Sequence, residues 1–150
     1  MITIPEHPIH IILADDDTDD HFFFAKAINT LPFQNILTIF PNGEKLMDFL
    51  LKNTDTLPDV LFLDNNMPRK NGSECLLEIK SHPLLKEIPV IIYSTYLHEH
   101  IADELYDKGT YFYVRKTELP QLKKILYHIF SLIVKKKFIR PARDQFVLTC

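Results

Sequence analysis

From residue 9 onward, compact apolar runs alternate with stretches whose apolar positions recur every three or four residues. A short apolar run reads as a buried strand, and the longer spacing as a helix with one buried face. On this reading residues 9–14 (IHIILA) form a first strand and residues 18–31 a helix. That helix opens on a group of aspartates, which the positive end of a helix dipole favours. Residues 35–40 give a second strand, and Asn42 can cap a helix running to residue 53, in which Leu46, Phe49 and Leu50 share a face. Residues 59–64 (DVLFLD) are a third strand, set between Pro58 and a turn over residues 66–72. A helix follows over residues 73–81, then a strand over 88–94 and a helix over 98–108 closed by Gly109. Residues 111–115 make the last strand and residues 118–134 the last helix, with Leu122, Ile125, Leu126, Ile129 and Ile133 along one side.

Strands that alternate with helices pair in parallel, because each crossover carries the chain back to the same end of the sheet. The expected fold is α/β, a doubly wound sheet of five parallel strands with helices on both faces. Ligands of such sheets bind beyond the carboxyl ends of the strands. Polar residues collect there: Asp15 and Asp16 end the first strand, Asp64 the third and Ser94 the fourth, and Lys116 follows the fifth.

The 150 residues are 46% hydrophobic and 25% charged, enough for one domain with one core, which excludes a disordered or fibrous chain. No apolar run approaches the roughly 20 residues of a membrane span, and the first residues lack the pattern of a secretory signal, so a cytoplasmic location is expected. Cys75 and Cys150 stand in no metal-finger or C-x-x-C spacing and read as free thiols. The net charge of −3 conceals an asymmetry, since residues 1–64 hold 11 acids against 3 bases and residues 65–150 hold 9 against 14. With the pI near 6.1, a dedicated nucleic-acid binder is not expected.

Carboxylates gathered at one sheet edge repel one another unless a cation sits among them, and hard oxygen ligands suit Mg2+ or Mn2+. A lysine and a hydroxyl facing the same spot add an anion clamp. The set fits a metal-bound phosphoryl group held by positioning and charge, with an aspartate available as the nucleophile. The other acids, Asp17, Asp19 and Asp20, read as capping or surface residues. The three consecutive residues Phe22, Phe23 and Phe24 read as core and helix-face packing, and His98 and His100 fall on different helix faces, so no histidine metal site is expected.

The segments ILADDD (12–17), FLDNNMP (62–68) with Gly72 behind it, PVIIYST (89–95) and YVRK (113–116), in this order and at these strand ends, resemble the receiver domain of two-component response regulators. The resemblance covers residues 9–134, within a domain taken as residues 1–134. It implies a flavodoxin-like strand order of 2-1-3-4-5 and makes Asp64 the phosphoacceptor. Asp15 and Asp16 become the acidic pair that holds Mg2+ (or Mn2+) with Asp64 and the backbone carbonyl of Asn66. Lys116 becomes the phosphate-pairing cation, Ser94 the switch hydroxyl and Tyr113 the switch aromatic. The implied partners are a sensor histidine kinase or phosphotransfer protein, and an unknown downstream protein. The protein would act as a signalling switch, with slow self-dephosphorylation as its only catalysis. One departure is Thr117, where the family usually has proline, and a trans peptide after Lys116 is expected there.

Two other functions compete. A receiver-like module could bind partners without taking phosphate. A haloacid-dehalogenase-type phosphatase carries D-x-D-x-T after its first strand, and residues 15–19 (DDDTD) approach that pattern with Asp19 in the threonine's place. Residues 135–150, basic at first (KKKFIR) and apolar near the end, form a tail too short for an output domain. Output is then expected through partner proteins or a homodimer. The tail's large apolar residues predict that it is ordered, docked on the domain or on a partner, with its bases drawn to the acidic first half of a chain.

Overall fold

Six strands form a single parallel sheet in the order β2-β1-β3-β4-β5-β6, in a computed structural model that describes residues 7–96 and 98–148. The strands are β1 (Ile9–Ala14), β2 (Asn35–Phe40), β3 (Val60–Leu63), β4 (Val90–Ser94), β5 (Phe112–Arg115) and β6 (Val147–Leu148). The helices are α1 (Thr18–Asn29), α2 (Gly43–Lys52), α3 (Gly72–Ser81), α4 (Glu99–Asp107) and α5 (Leu119–Val134). The doubly wound α/β class and the 2-1-3-4-5 order are both observed.

Because side chains alternate along a strand, the sheet feeds two separate cores. Ile9, Ile11, Leu13, Phe62, Ile91, Tyr93 and Val114 meet α1 and α5 on one face. Ile12, Ala14, Leu61, Leu63, Ile92 and Tyr113 meet α2, α3 and α4 on the other. Both faces are covered, so β3 and β4 are buried along their whole length and apolar up to Ser94 at the end of β4.

Helix starts are fixed by side-chain caps. Asp17 accepts from the backbone N–H groups of Asp19 and Asp20, Asn42 from that of Lys45, and Asn71 forms a reciprocal capping box with Glu74. Of the three consecutive phenylalanines only Phe24 enters the core; Phe22 and Phe23 are exposed on α1.

The sixth strand is one more than the sequence predicts, and it comes from the tail. After a 3-10 turn over Arg143–Gln145 the chain pairs with β5, Tyr113 beside Val147 and Val114 beside Leu148. Phe146 supplies the reason: it is fully buried, packed edge-on against Tyr106 and Tyr113. Arg143 reaches Asp103 at 2.7 Å and Glu99 at 3.2 Å, and Arg140 lies over the Tyr106 ring. The tail is therefore docked on its own chain, but against acids of α4 rather than those of the first half. Two residues are too few to show strand periodicity, so the sequence pattern carries no sign of β6.

Candidate functional site

The site is assembled by three strand ends. Asp15 follows β1 and is completely buried, Asp16 beside it is exposed, and Asp64 follows β3 and is nearly buried. Carboxylate oxygens of these three residues lie within 4.8 Å of one another. The backbone holds them there, since the Asp64 N–H donates to the Ala14 carbonyl at 2.9 Å and the Asp15 N–H to the Phe40 carbonyl at 3.0 Å. Asp64 Oδ1 accepts from the Asn66 N–H at 3.0 Å, which folds the turn after β3 around the carboxylate and seats Asn66 at the site's edge. Gly72 permits this fold: a Cβ there would lie 2.6 Å from the Asp64 carbonyl oxygen.

Lys116 enters from the end of β5, where its N–H donates to the Ser94 carbonyl at 2.8 Å. Its Nζ lies 2.7 Å from Asp15 Oδ2, 3.1 Å from Asp64 Oδ2 and 2.7 Å from Asp20 Oδ2. It also stands 5.3 Å from the centre of the Tyr93 ring. Burial by itself would lower the Lys116 ammonium, but the carboxylates of Asp15, Asp20 and Asp64 override it and hold the ammonium above the usual lysine range. Asp15 shows the opposite balance. Its burial outweighs the help of Lys116 and of the Asp17 N–H and pushes the carboxyl up to about 6. The ammonium approaches Asp15 Oδ2 without the alignment of a hydrogen bond, so this fully buried oxygen has no directed donor.

A buried acceptor of that kind, beside two further carboxylates, fits a hard divalent cation such as Mg2+ or Mn2+. The donor set is all oxygen, and the cation would remove the repulsion that one lysine leaves uncompensated.

Ser94 is buried at the end of β4, opposite Arg115 in the β4–β5 register, and its carbonyl accepts from the Lys116 backbone N–H. Tyr113 points into the α4 face, its ring enclosed and its hydroxyl donating to the Tyr96 carbonyl. Burial pushes its phenol up, with the Ser94 hydroxyl acting in the other direction. The ring is thus already packed inside, under Phe146, rather than loosely held. The peptide after Lys116 is trans, as the exchange of proline for Thr117 predicts.

Asp20 is the residue that the sequence pattern assigns elsewhere. It sits in the first turn of α1, where a capping role suffices to explain an acid, and only the tertiary approach of β5 brings Lys116 against it. Asp17 does cap α1. Beside Lys116 a cavity of about 740 Å3 opens, lined by Asp17, Asp20, Phe23, Thr95, Arg115, Thr117, Glu118, Leu119 and Ile125.

An open parallel sheet whose central strand ends in a lysine-paired carboxylate, flanked by two more acids, defines a phosphoacceptor class of protein. The chain belongs to the response regulator receiver domain family, whose model matches residues 11–127. It is 31% identical over 129 residues to response regulator Rcp1 of Synechocystis sp., covering 83% of this chain and 88% of that one. Among solved structures it is similar to the phosphorylated cyanobacterial phytochrome response regulator RcpA, with 30% identity and a TM-score of 0.78 over 87% of this chain and 96% of RcpA. The Mn2+-bound form of Rcp1 matches at 30% identity and a TM-score of 0.76 over 90% of this chain and all of that one. As a receiver domain it is a signalling protein whose phosphodonor is a histidine kinase or phosphotransfer protein. Among the described residues no helix is long and apolar enough to cross a membrane.

Proposed function

We propose that Asp64 accepts a phosphoryl group from a phosphohistidine of a partner kinase or phosphotransfer protein. A carboxylate oxygen of Asp64 attacks the phosphorus, the P–N bond breaks, and the imidazole leaves with its bonding pair and takes up a proton. The observation that carries this reading is the Asp64 carboxylate at the end of the central strand, 3.1 Å from Lys116 Nζ and beside Asp15 and Asp16. Lys116 pairs with a phosphoryl oxygen, and Ser94 offers its hydroxyl to another. Asp15, Asp16, Asp64 and the Asn66 carbonyl would hold Mg2+, which would neutralise charge when bound, a reading that the Mn2+-bound Rcp1 supports. Exposed Asp16 would be the principal ligand of that cation and buried Asp15 a supporting one. Hydrolysis of the acyl phosphate returns the chain slowly to its resting state.

The geometry of a D-x-D-x-T phosphatase is not the one these residues adopt. In a D-x-D-x-T phosphatase the second aspartate works in the site, whereas Asp17 spends its carboxylate on the N–H groups of Asp19 and Asp20. One observation does favour signalling without phosphate: Tyr113 is already enclosed and its strand already paired by the tail. Residues 1–134 act as the receiver and 135–150 as its tail, and the signal passes to a downstream protein or a second copy, not to nucleic acid or membrane. On this reading the exchange is cytoplasmic.

The test is phosphotransfer from autophosphorylated histidine kinases, a phytochrome-type kinase among them because RcpA is a phytochrome response regulator. Label should pass to the wild type, fail to pass to Asp64→Asn, and be blocked by EDTA. A receiver that takes no label from any kinase, yet binds its partners, would establish the phosphate-free reading instead.

A further inference from the structure

Lys116 has three N–H donors and three carboxylates around it. Its shortest aligned hydrogen bond goes to Asp20, at 2.7 Å, while that to Asp64 is 3.1 Å and the approach to Asp15 is not aligned. Asp20 is a quarter exposed, on the rim of the cavity, and stands on α1 rather than at a strand end. It therefore holds the ammonium from the α1 side, while Asp15 at 2.7 Å and Asp64 at 3.1 Å hold it from the strand ends.

We infer that Asp20 is a positioning residue that competes with the phosphoryl group on Asp64 for the Lys116 ammonium. The inference rests on Asp64 being the phosphoacceptor and concerns how strongly that state is held. A phosphoryl group on Asp64 brings further anionic oxygens within reach of Lys116, and each N–H given to Asp20 is one withheld from them. The Asp20 charge also repels the incoming group. The Lys116 ammonium reaches both Asp20 and Asp64 from one position over the Tyr93 ring, so a small swing of its flexible stem decides the pairing. Asp20 thereby limits the stability of the phosphorylated form and leaves the metal-binding carboxylates untouched.

The test measures beryllofluoride, a phosphoryl mimic, binding to the full chain at saturating Mg2+ by 19F NMR. Asp20→Asn should bind about three- to tenfold more tightly than wild type, the gain expected when a charged competitor for one hydrogen bond is removed. Asp20→Glu, which keeps the charge, should stay within about twofold of wild type. Asp20→Ser serves as a second neutral variant that suits a first helical turn, should the asparagine fail to fold, and it should also tighten binding. A merely structural role would weaken binding in every variant or change nothing, and either result overturns the inference. Asp64→Asn in the same assay separates the two levels: loss of binding upholds the phosphoacceptor reading whatever Asp20 does, and retained binding overturns that reading and the inference together.

Discussion

Lys116 is the only cation placed among Asp15, Asp20 and Asp64 in the described residues, and its removal tests how far the acids depend on it. Lys116→Met leaves a fully buried carboxylate without a counter-charge, and breaking a buried pair in this way costs several kcal/mol. Denaturant unfolding in EDTA should show a loss of about 2–4 kcal/mol. Added Mg2+ should recover part of it, because the cation neutralises the same oxygens; equal stability with and without Mg2+ would place the metal elsewhere. Cys75 gives a second residue-level test. It is fully buried, and burial pushes its thiol from an ordinary 9.0 up to about 12. The thiolate is the reactive form. In a Cys150→Ser background, native Cys75 should resist iodoacetamide at pH 8 and react only on unfolding, and rapid native labelling would contradict its burial. The folded thiol keeps its proton to higher pH than the unfolded one. This group's contribution to stability is therefore present below about pH 9 and falls as pH rises from there toward 12. Cys150 lies outside the described residues.

At the scale of elements, the turn between β3 and α3 decides where the Asp64 carboxylate points. Gly72→Ala would put a Cβ 2.6 Å from the Asp64 carbonyl oxygen and 2.9 Å from Asn65 Cα, both backbone atoms that cannot swing aside. The turn must move, at a cost of about 1–3 kcal/mol by thermal or chemical unfolding, and phosphate uptake should fall with it. Unchanged uptake would mean that the turn tolerates the shift. Every helix and every strand of the receiver body was legible from its apolar spacing, with ends moved by one or two residues. Asp59, assigned to the third strand by its place before VLFL, instead accepts from the His10 N–H at 2.8 Å and finishes the loop. The acids and the lysine at the strand ends were legible because a parallel sheet sends all its strand ends to one edge. Asp20 was not, because its partner lies 96 residues away and its local role as a first-turn acid already accounts for it.

For the whole molecule, the tail is part of the fold. Phe146 fills the space between Tyr106 and Tyr113, and its carbonyl accepts from the Tyr113 N–H at 3.1 Å, so the edge strand β5 is covered. Apolar composition predicted an ordered tail, but its docking place depends on a pocket formed by α4 and β5 that no local pattern reveals. Truncation after Lys137 should lower the stability by about 2–4 kcal/mol, chiefly through loss of the buried Phe146. It should also loosen the Tyr113 ring, visible as averaged aromatic NMR signals, and an unchanged melting temperature would leave the tail without a structural role. The central claim, that the strand-end carboxylate of β3 takes the phosphoryl group, is tested most directly by chemical trapping. After incubation with Mg2+ and a small phosphodonor, borohydride reduces an aspartyl phosphate to homoserine, which peptide mass spectrometry locates. The predicted result is homoserine at position 64 and at no other aspartate; homoserine at Asp15, Asp16 or Asp20, or none at all under conditions that phosphorylate a known receiver, would contradict it.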